Sequence, residues 1–161
     1  PTSSDIIQFM KELTYIPITH IIWNKNQLSN RAAWGSYMSP NCPSYPWPFE
    51  HILIFAKESK KLDREGEIDL TKEEFAKFAY SLWTFAPEGK AKAIGHPAPF
   101  PKELPYRLIK MNTYKGDLVY DPFTGSGTTG LVCKELGRKF IGSEIDEKYY
   151  KIAVERINKN E

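Results

Sequence analysis

Residues 121–130 read DPFTGSGTTG, and this stretch decides the fold class. It follows the strand-like segment DLVY (117–120) and runs into TTGLVCKELG (128–137), whose apolar spacing indicates a helix. Glycines between a strand and a helix let the backbone approach a ligand closely, and the helix start behind them offers free N–H groups. Glu144 ends the next predicted strand, where a carboxylate can accept both hydroxyls of a ribose. Together these features predict a site for an adenosine-type ligand.

Predicted strands and helices alternate on both sides of this turn. The pattern predicts helices over 3–14, 72–83, 103–114, 128–137 and 147–158, and strands over 18–23, 50–57, 117–123 and 139–145. Such alternation indicates an α/β fold with a doubly wound, mostly parallel sheet, whose ligand crevice lies at the carboxyl ends of the strands. Ile6, Ile7, Met10 and Leu13 predict one buried face on the first helix.

Composition excludes several classes of protein. The 161 residues are 41% hydrophobic and 26% charged, which is typical of one globular domain and not of a disordered or fibrous chain. A net charge of +2 excludes a polybasic binder, although a local basic face remains compatible with DNA. No apolar run reaches the ~20 residues that span a bilayer, so no membrane association is expected. Cys42 and Cys133 stand far apart, which excludes a disulfide scaffold and predicts a reducing, cytoplasmic setting.

The glycine spacing alone is compatible with two classes of ligand, an adenosine-type ligand and a dinucleotide. Gly125, Gly127 and Gly130 also fit the fingerprint of dinucleotide-binding enzymes. A dehydrogenase normally carries that turn on the first strand of its domain, whereas here only a helix, a strand and a helix follow it. The rest of the sheet must therefore come from upstream, in a permuted order.

The quoted turn, with RKFIGSEIDEKYYKIAVERI (138–157), closely resembles the S-adenosylmethionine-binding part of DNA amino-methyltransferases. HPAPFPKELP (96–105) resembles the family segment before that turn, and residues 21–57 resemble the stretch that flanks the target-base pocket. The resemblance implies the permuted order, with the catalytic motif before the cofactor motif. It implies one Rossmann-like methyltransferase domain over 1–161, with a target-base side (1–57), a variable linker or DNA-recognition segment (58–95) and a cofactor-binding part (96–161).

The resemblance also implies roles for individual residues. The backbone around Phe123, Gly125 and Gly127 would wrap the methionine part of S-adenosylmethionine, Glu144 would hold the ribose, and Ile145 would lie against the adenine. Hydrogen bonds from Ser126 and Thr128 would add to this. The full predicted cofactor set is Asp121, Pro122, Phe123, Gly125, Ser126, Gly127, Thr128, Glu144, Ile145, Pro99 and Phe100, and the predicted contacts to DNA or the target base are Trp34, Gly35, Ser36, Lys90 and Lys92.

The family's catalytic loop, Asp/Asn/Ser-Pro-Pro-aromatic, does not occur in the sequence. We therefore assign no catalytic residue, and we expect the sheet to be incomplete without an upstream segment, a second copy or another chain. No His, Cys, Asp or Glu cluster has metal-ligand spacing, and the predicted reaction needs no metal.

The resulting prediction is a prokaryotic or viral restriction-modification methyltransferase that modifies double-stranded DNA at cytosine N4 or adenine N6. HPAPFP favours cytosine. An inactive or DNA-binding remnant and an NAD-dependent oxidoreductase are the alternatives.

Overall fold

The computed structural model describes residues 2–25, 39–43, 45, 47–89 and 100–159. The helices within these ranges are α1 (Ser3–Glu12), α2 (Lys72–Phe78), α3 (Glu103–Asn112), α4 (Thr128–Glu135) and α5 (Glu147–Asn158). The strands are β1 (Ile16–Asn24), β2 (Phe49–Ala56), β3 (Leu82–Thr84), β4 (Leu118–Asp121) and β5 (Lys139–Gly142). The order of elements follows the sequence prediction except in one segment, near Trp83.

Contacts divide the chain into two compact units, residues 1–61 with 80–86 and residues 62–79 with 87–161. The first unit holds a three-stranded sheet in the order β2-β1-β3. β1 runs antiparallel to β2 and parallel to β3. Trp23 and Trp83 are paired across β1 and β3 and are buried, so they form the apolar centre of this sheet.

The prediction of a single helix over residues 72–83 is wrong at its carboxyl end. Helix α2 ends at Phe78, and the segment Leu82–Thr84 forms β3 instead. The amide of Ile22 donates to the carbonyl of Ser81 at 2.8 Å, which starts the pairing with β1. Burial of Trp83 in the sheet outweighs the helical spacing, because tertiary packing overrides local propensity.

The second unit is built around the parallel pair of β4 and β5, which are in register from Leu118 with Lys139 to Asp121 with Gly142. Helix α4 connects the two strands and supplies the most deeply buried residues, Val132 and Cys133. They pack with Ile109, and the half-buried side chains Tyr106, Val119, Leu136 and Phe140 surround them. This strand-helix-strand unit confirms the predicted α/β class.

Helix α1 does not bury the apolar face that its spacing predicts. None of its ten residues, all of which are described, is buried. Of the predicted face, Ile6 and Leu13 are exposed, and Ile7 and Met10 are half-buried. A capping box between Thr2 and Asp5 begins the helix, so local interactions support its start.

A buried arginine joins residues 62–79 to the rest of the second unit. The guanidinium of Arg138 donates to both carboxylate oxygens of Asp69 at 2.5 and 2.8 Å, and to the carbonyl and hydroxyl of Thr113 at 2.9 and 3.1 Å. Its side chain has no solvent exposure. Since a buried charge is costly unless it is fully bonded, this network fixes the course of the segment before α2.

A second polar cluster joins α2 to α3. Glu74 accepts from the Lys110 ammonium at 2.6 Å and from the Tyr106 hydroxyl at 2.7 Å, and it closes the capping box of α2 through Thr71. Burial by itself would raise the pKa of Glu74. The bonds from Lys110, Thr71 and Tyr106 outweigh that effect and lower the pKa from its ordinary value of 4.5 to about 2.

A lowered folded-state pKa makes stability depend on pH with a definite sign. The contribution of Glu74 is fully present above pH 4.5 and is lost as pH falls towards 2. We expect Glu74→Gln to lower the free energy of unfolding at pH 7 by about 2–3 kcal/mol. That difference from the wild type should shrink below pH 4.5, as measured by urea denaturation.

Glu73→Gln is the matched control, since Glu73 is exposed on the same helix. It should follow the wild-type curve at every pH. A Glu74→Gln deficit that stays constant down to pH 2 would contradict this account of the cluster.

Candidate cofactor site

The glycine turn lies between the carboxyl ends of β4 and β5. Asp121, the last residue of β4, accepts from the amide of Phe123 at 3.0 Å and from the hydroxyl of Thr129 at 2.7 Å. The Thr124 amide donates to the carbonyl of Ser143 at 2.9 Å, just past β5. The turn is therefore tied to both strands and to the start of α4, at the edge where the sequence predicts the ligand crevice.

Two glycines in the turn have backbone angles that favour glycine, with φ of 54° at Gly125 and 82° at Gly127. Gly127 is also the N-cap of α4. A Cβ atom at Gly127 would lie 2.9 Å from the Cα and Cβ atoms of Ala153 on α5. Gly127 therefore allows α5 to pack closely against the turn. The sequence alone does not distinguish this role from the approach of the backbone to a ligand.

Glu144 is held against the turn by its own carboxylate. One oxygen accepts from the Gly125 amide at 2.7 Å, and the other accepts from the Asp146 amide at 2.9 Å. The side chain is half-buried. Because each carboxylate oxygen has a second lone pair, Glu144 can accept further hydrogen bonds while keeping these two.

Large apolar side chains are exposed in the turn and directly after Glu144. Phe123 in the turn is 86% exposed, and Ile145 is fully exposed. An acidic acceptor with uncovered apolar side chains in the same part of the chain matches the chemistry of an adenosine, which presents ribose hydroxyls and a flat ring. The residues present therefore fit the predicted ligand class.

Ser126 and Thr128 are buried, and Ser126 already has a partner. The Arg156 guanidinium donates to the Ser126 carbonyl at 2.5 Å and lies 2.9 Å from its hydroxyl. Sequence reasoning missed Arg156, although it lies within the quoted stretch 138–157. Its position in the last turn of α5 is one that solvated charges also occupy, so no signal in the sequence identifies it.

A cavity of about 200 Å³ lies beside the turn, between β5 and α5. Its lining includes Thr124, Phe140, Glu144 and Tyr150 and is mostly apolar. Phe123 and Ile145 are not among its lining residues, whereas Thr124 and Glu144 of the turn region are.

Several predicted site residues lie outside the described part of the chain. These are Trp34, Gly35, Ser36, Lys90, Lys92 and Pro99. Phe100 is described and half-buried, and Pro122 is exposed at the turn. Of the aromatic residues near the predicted base pocket, Tyr45 and Trp47 are exposed.

The described ranges contain neither a cluster of metal-ligating side chains nor a helix that could span a membrane. Within them, no three His, Cys, Asp or Glu side chains are close enough to hold a metal ion. No helix in these ranges has both the length and the apolarity to cross a membrane.

Comparison with known proteins identifies the family. The family of N6 and N4 methyltransferases, described as DNA methylase, matches residues 3–155. That range includes the whole glycine turn and Glu144, and the chain belongs to this family. The resemblance noted in the sequence is thereby confirmed.

Individual relatives agree with this assignment. The chain is 33% identical to the type II methyltransferase M.MjaI of Methanocaldococcus jannaschii, over 98% of this chain and 54% of the relative. It is 40% identical to M2.DpnII of Streptococcus pneumoniae, over 81% of this chain and 51% of that protein. The chain thus spans about half the length of the curated relatives it matches.

Solved structures show the same likeness. TTHA0409 of Thermus thermophilus, complexed with S-adenosyl-L-methionine, matches with a TM-score of 0.75 at 30% identity. The match covers 98% of this chain and 59% of that one. PvuII DNA methyltransferase, which is cytosine-N4-specific, matches with a TM-score of 0.70 at 26% identity, over 96% of this chain and 56% of the other.

The packing at Gly127 generates a test of the turn. We expect Gly127→Ala to lower the free energy of unfolding by about 2–5 kcal/mol, since it adds a left-handed φ penalty to a clash with the α5 backbone. Gly116→Ala is the matched control, because Gly116 has a φ of 77° with nothing near its Cβ position. Gly116→Ala should lower the free energy of unfolding by the left-handed φ penalty alone, about 1–2 kcal/mol. Equal losses in the two variants, measured by chemical denaturation, would show that contact with Ala153 does not matter.

Proposed function

We propose that this chain is the cofactor-binding part of a restriction-modification DNA methyltransferase. The enzyme moves a methyl group from S-adenosylmethionine to the exocyclic amine of cytosine or adenine in double-stranded DNA. The observation that carries this proposal is the glycine turn with Glu144 bonded to Gly125 and two uncovered apolar side chains beside it. Family membership over residues 3–155 supports the same reaction.

The described residues account for how the cofactor is held. Glu144 would accept from the ribose hydroxyls, Ile145 would pack on the adenine, and Phe123 would cover the methionine end together with the backbone at Gly125. The amides at the start of α4 have no intrahelical carbonyl partners, so they provide donors for the methionine carboxylate. S-adenosylmethionine supplies an electrophilic methyl group on a sulfonium and contains no phosphate, so this site needs no metal ion.

The chemical step consists of a displacement at carbon. The amine nitrogen forms a bond to the methyl carbon, the carbon–sulfur bond breaks, and the amine loses one proton. The chain contributes alignment, because a direct displacement requires the nitrogen, carbon and sulfur atoms to be in line. We propose that Trp34, Gly35 and Ser36 flank the base extruded from the duplex, and that Lys90 and Lys92 contact phosphates. The HPAPFP segment favours cytosine N4 as the target.

We propose that the groups that raise the nucleophilicity of the amine belong to a catalytic loop whose motif does not occur in these 161 residues. Among the described residues, β4 and β5 pair only with each other. Leu118, Tyr120 and Ile141 are each more than half exposed on the face of this pair opposite Val119 and Phe140. We propose that the strand bearing the catalytic loop pairs beside β4, from an upstream segment or another chain. The strand pair then becomes part of a larger, doubly wound Rossmann-like sheet.

Cofactor identity is tested by titration calorimetry with S-adenosylmethionine and, separately, with NAD. We expect binding of the first and none of the second. Glu144→Ala should weaken S-adenosylmethionine binding by roughly 1.5–3 kcal/mol, the scale of hydrogen bonds to a charged group. Glu147→Ala removes an exposed carboxylate three residues on and is the control. Unchanged affinity in Glu144→Ala would refute the ribose assignment, and NAD binding would favour an oxidoreductase.

Methyl transfer by residues 1–161 alone should be undetectable, because the catalytic loop is absent from them. The measurement is incorporation of tritiated methyl groups into mixed-sequence duplex DNA, with binding of S-adenosylmethionine verified on the same sample. Robust incorporation would place the catalytic loop within this chain. Binding without incorporation is the expected result.

A further inference from the structure

Arg156 contacts the glycine turn from the side of α5. Its guanidinium donates to the Ser126 carbonyl at 2.5 Å, and Nη1 also lies 2.9 Å from the Ser126 hydroxyl. Ser126 is only 4% exposed. This contact therefore belongs to the interior of the turn.

The position of Arg156 follows from the packing of α5. Ala153, Arg156 and Ile157 lie at helical spacing on one face of this helix. Ala153 faces Gly127, and Ile157 faces Gly130. This face of α5 thus packs against both the glycine turn and the start of α4. Arg156 adds a charged group to the same face.

The hydrogen bond from Arg156 to the Ser126 carbonyl fixes the plane of the Ser126–Gly127 peptide. The Ser126 carbonyl and the Gly127 amide belong to one peptide unit, and the Gly127 amide donates to the Thr124 carbonyl at 2.9 Å. Arg156 holds one end of this unit while Thr124 holds the other. The plane sets φ at Gly127, which is the N-cap residue, and therefore sets the direction of the first amides of α4.

Glu144 holds Gly125, the residue before Ser126, by a hydrogen bond. Its carboxylate accepts from Gly125, so two charged side chains of the β5–α5 segment grip consecutive residues of the turn. Burial lowers the pKa of Arg156, while the charge of Glu88 raises it. A guanidinium partly removed from water needs strong acceptors, and the Ser126 carbonyl is one of them.

We propose that Arg156 is a positioning residue for the cofactor, which pre-orients the Ser126–Gly127 peptide so that the start of α4 receives the methionine end of S-adenosylmethionine. This inference rests on the proposed function. Arg156 itself does not touch the cofactor. Its effect on affinity passes through the Ser126 carbonyl.

The test compares Arg156→Gln and Arg156→Lys in the 161-residue chain. Calorimetric titration with S-adenosylmethionine, at a temperature where every variant is folded, should show roughly tenfold weaker binding for Arg156→Gln, the equivalent of about one charged hydrogen bond. Arg156→Lys keeps one donor for the carbonyl and should recover most of that loss. Without ligand, Arg156→Gln should also speed hydrogen exchange at the Gly127 amide more than at amides in β5.

Arg138→Gln separates positioning from general destabilisation. Arg138 is a buried arginine at the opposite end of β5, bonded to Asp69 and Thr113. Its substitution should lower the free energy of unfolding while leaving the affinity of the folded protein within about twofold of the wild type. Equal weakening by Arg138→Gln and Arg156→Gln, or wild-type affinity and Gly127 exchange in Arg156→Gln, would overturn the inference. Failure of the wild-type chain to bind S-adenosylmethionine would instead overturn the proposed function.

Discussion

The approach of helix α5 to the glycine turn is the constraint on which the second unit depends. Ala153 lies so near Gly127 that no side chain fits between them. That contact brings Arg156 within reach of Ser126 and sets Ile157 against Gly130. Because protein interiors are close-packed and deform little, small displacements of α5 are transmitted directly to the turn. The packing of α5 therefore helps to determine the shape of the turn, although none of the predicted site residues lies on this helix.

Prediction from sequence succeeded where local pattern and tertiary role coincide. Residues 117–158 show each predicted element, since a strand, a glycine turn and a helix are all specified by neighbouring residues. Prediction failed at Leu82–Thr84, where pairing with β1 and burial of Trp83 decide the structure. It also failed for α1, because spacing shows that a face is apolar but not whether a partner covers it. Arg156 was missed for a related reason: a charged residue at a helix end is usually solvated, and only the packing of α5 shows otherwise.

The uncovered apolar surfaces have two different physical explanations. Phe123 and Ile145 flank a carboxylate at the strand ends, which is the arrangement of a ligand site. Leu118, Tyr120 and Ile141 lie along the strands themselves, on the face opposite Val119 and Phe140. A parallel sheet is normally covered on both faces, because its connections place helices there. The first group is consistent with the proposed cofactor, and the second with further covering structure, since the chain spans about half the length of the curated relatives it matches.

Glu144 contributes both to the folding of the turn and to the proposed cofactor site. If its carboxylate were free in solution, binding a ribose would require the side chain to be ordered at that moment, at a cost in rotamer entropy. Here the bonds from Gly125 and Asp146 order it beforehand, and both oxygens keep a lone pair for a ligand. The Gly125 bond at the same time closes the turn onto the end of β5. Folding of the βαβ unit and preparation of the cofactor site thus use the same hydrogen bond, so a substitution at Glu144 is expected to affect both.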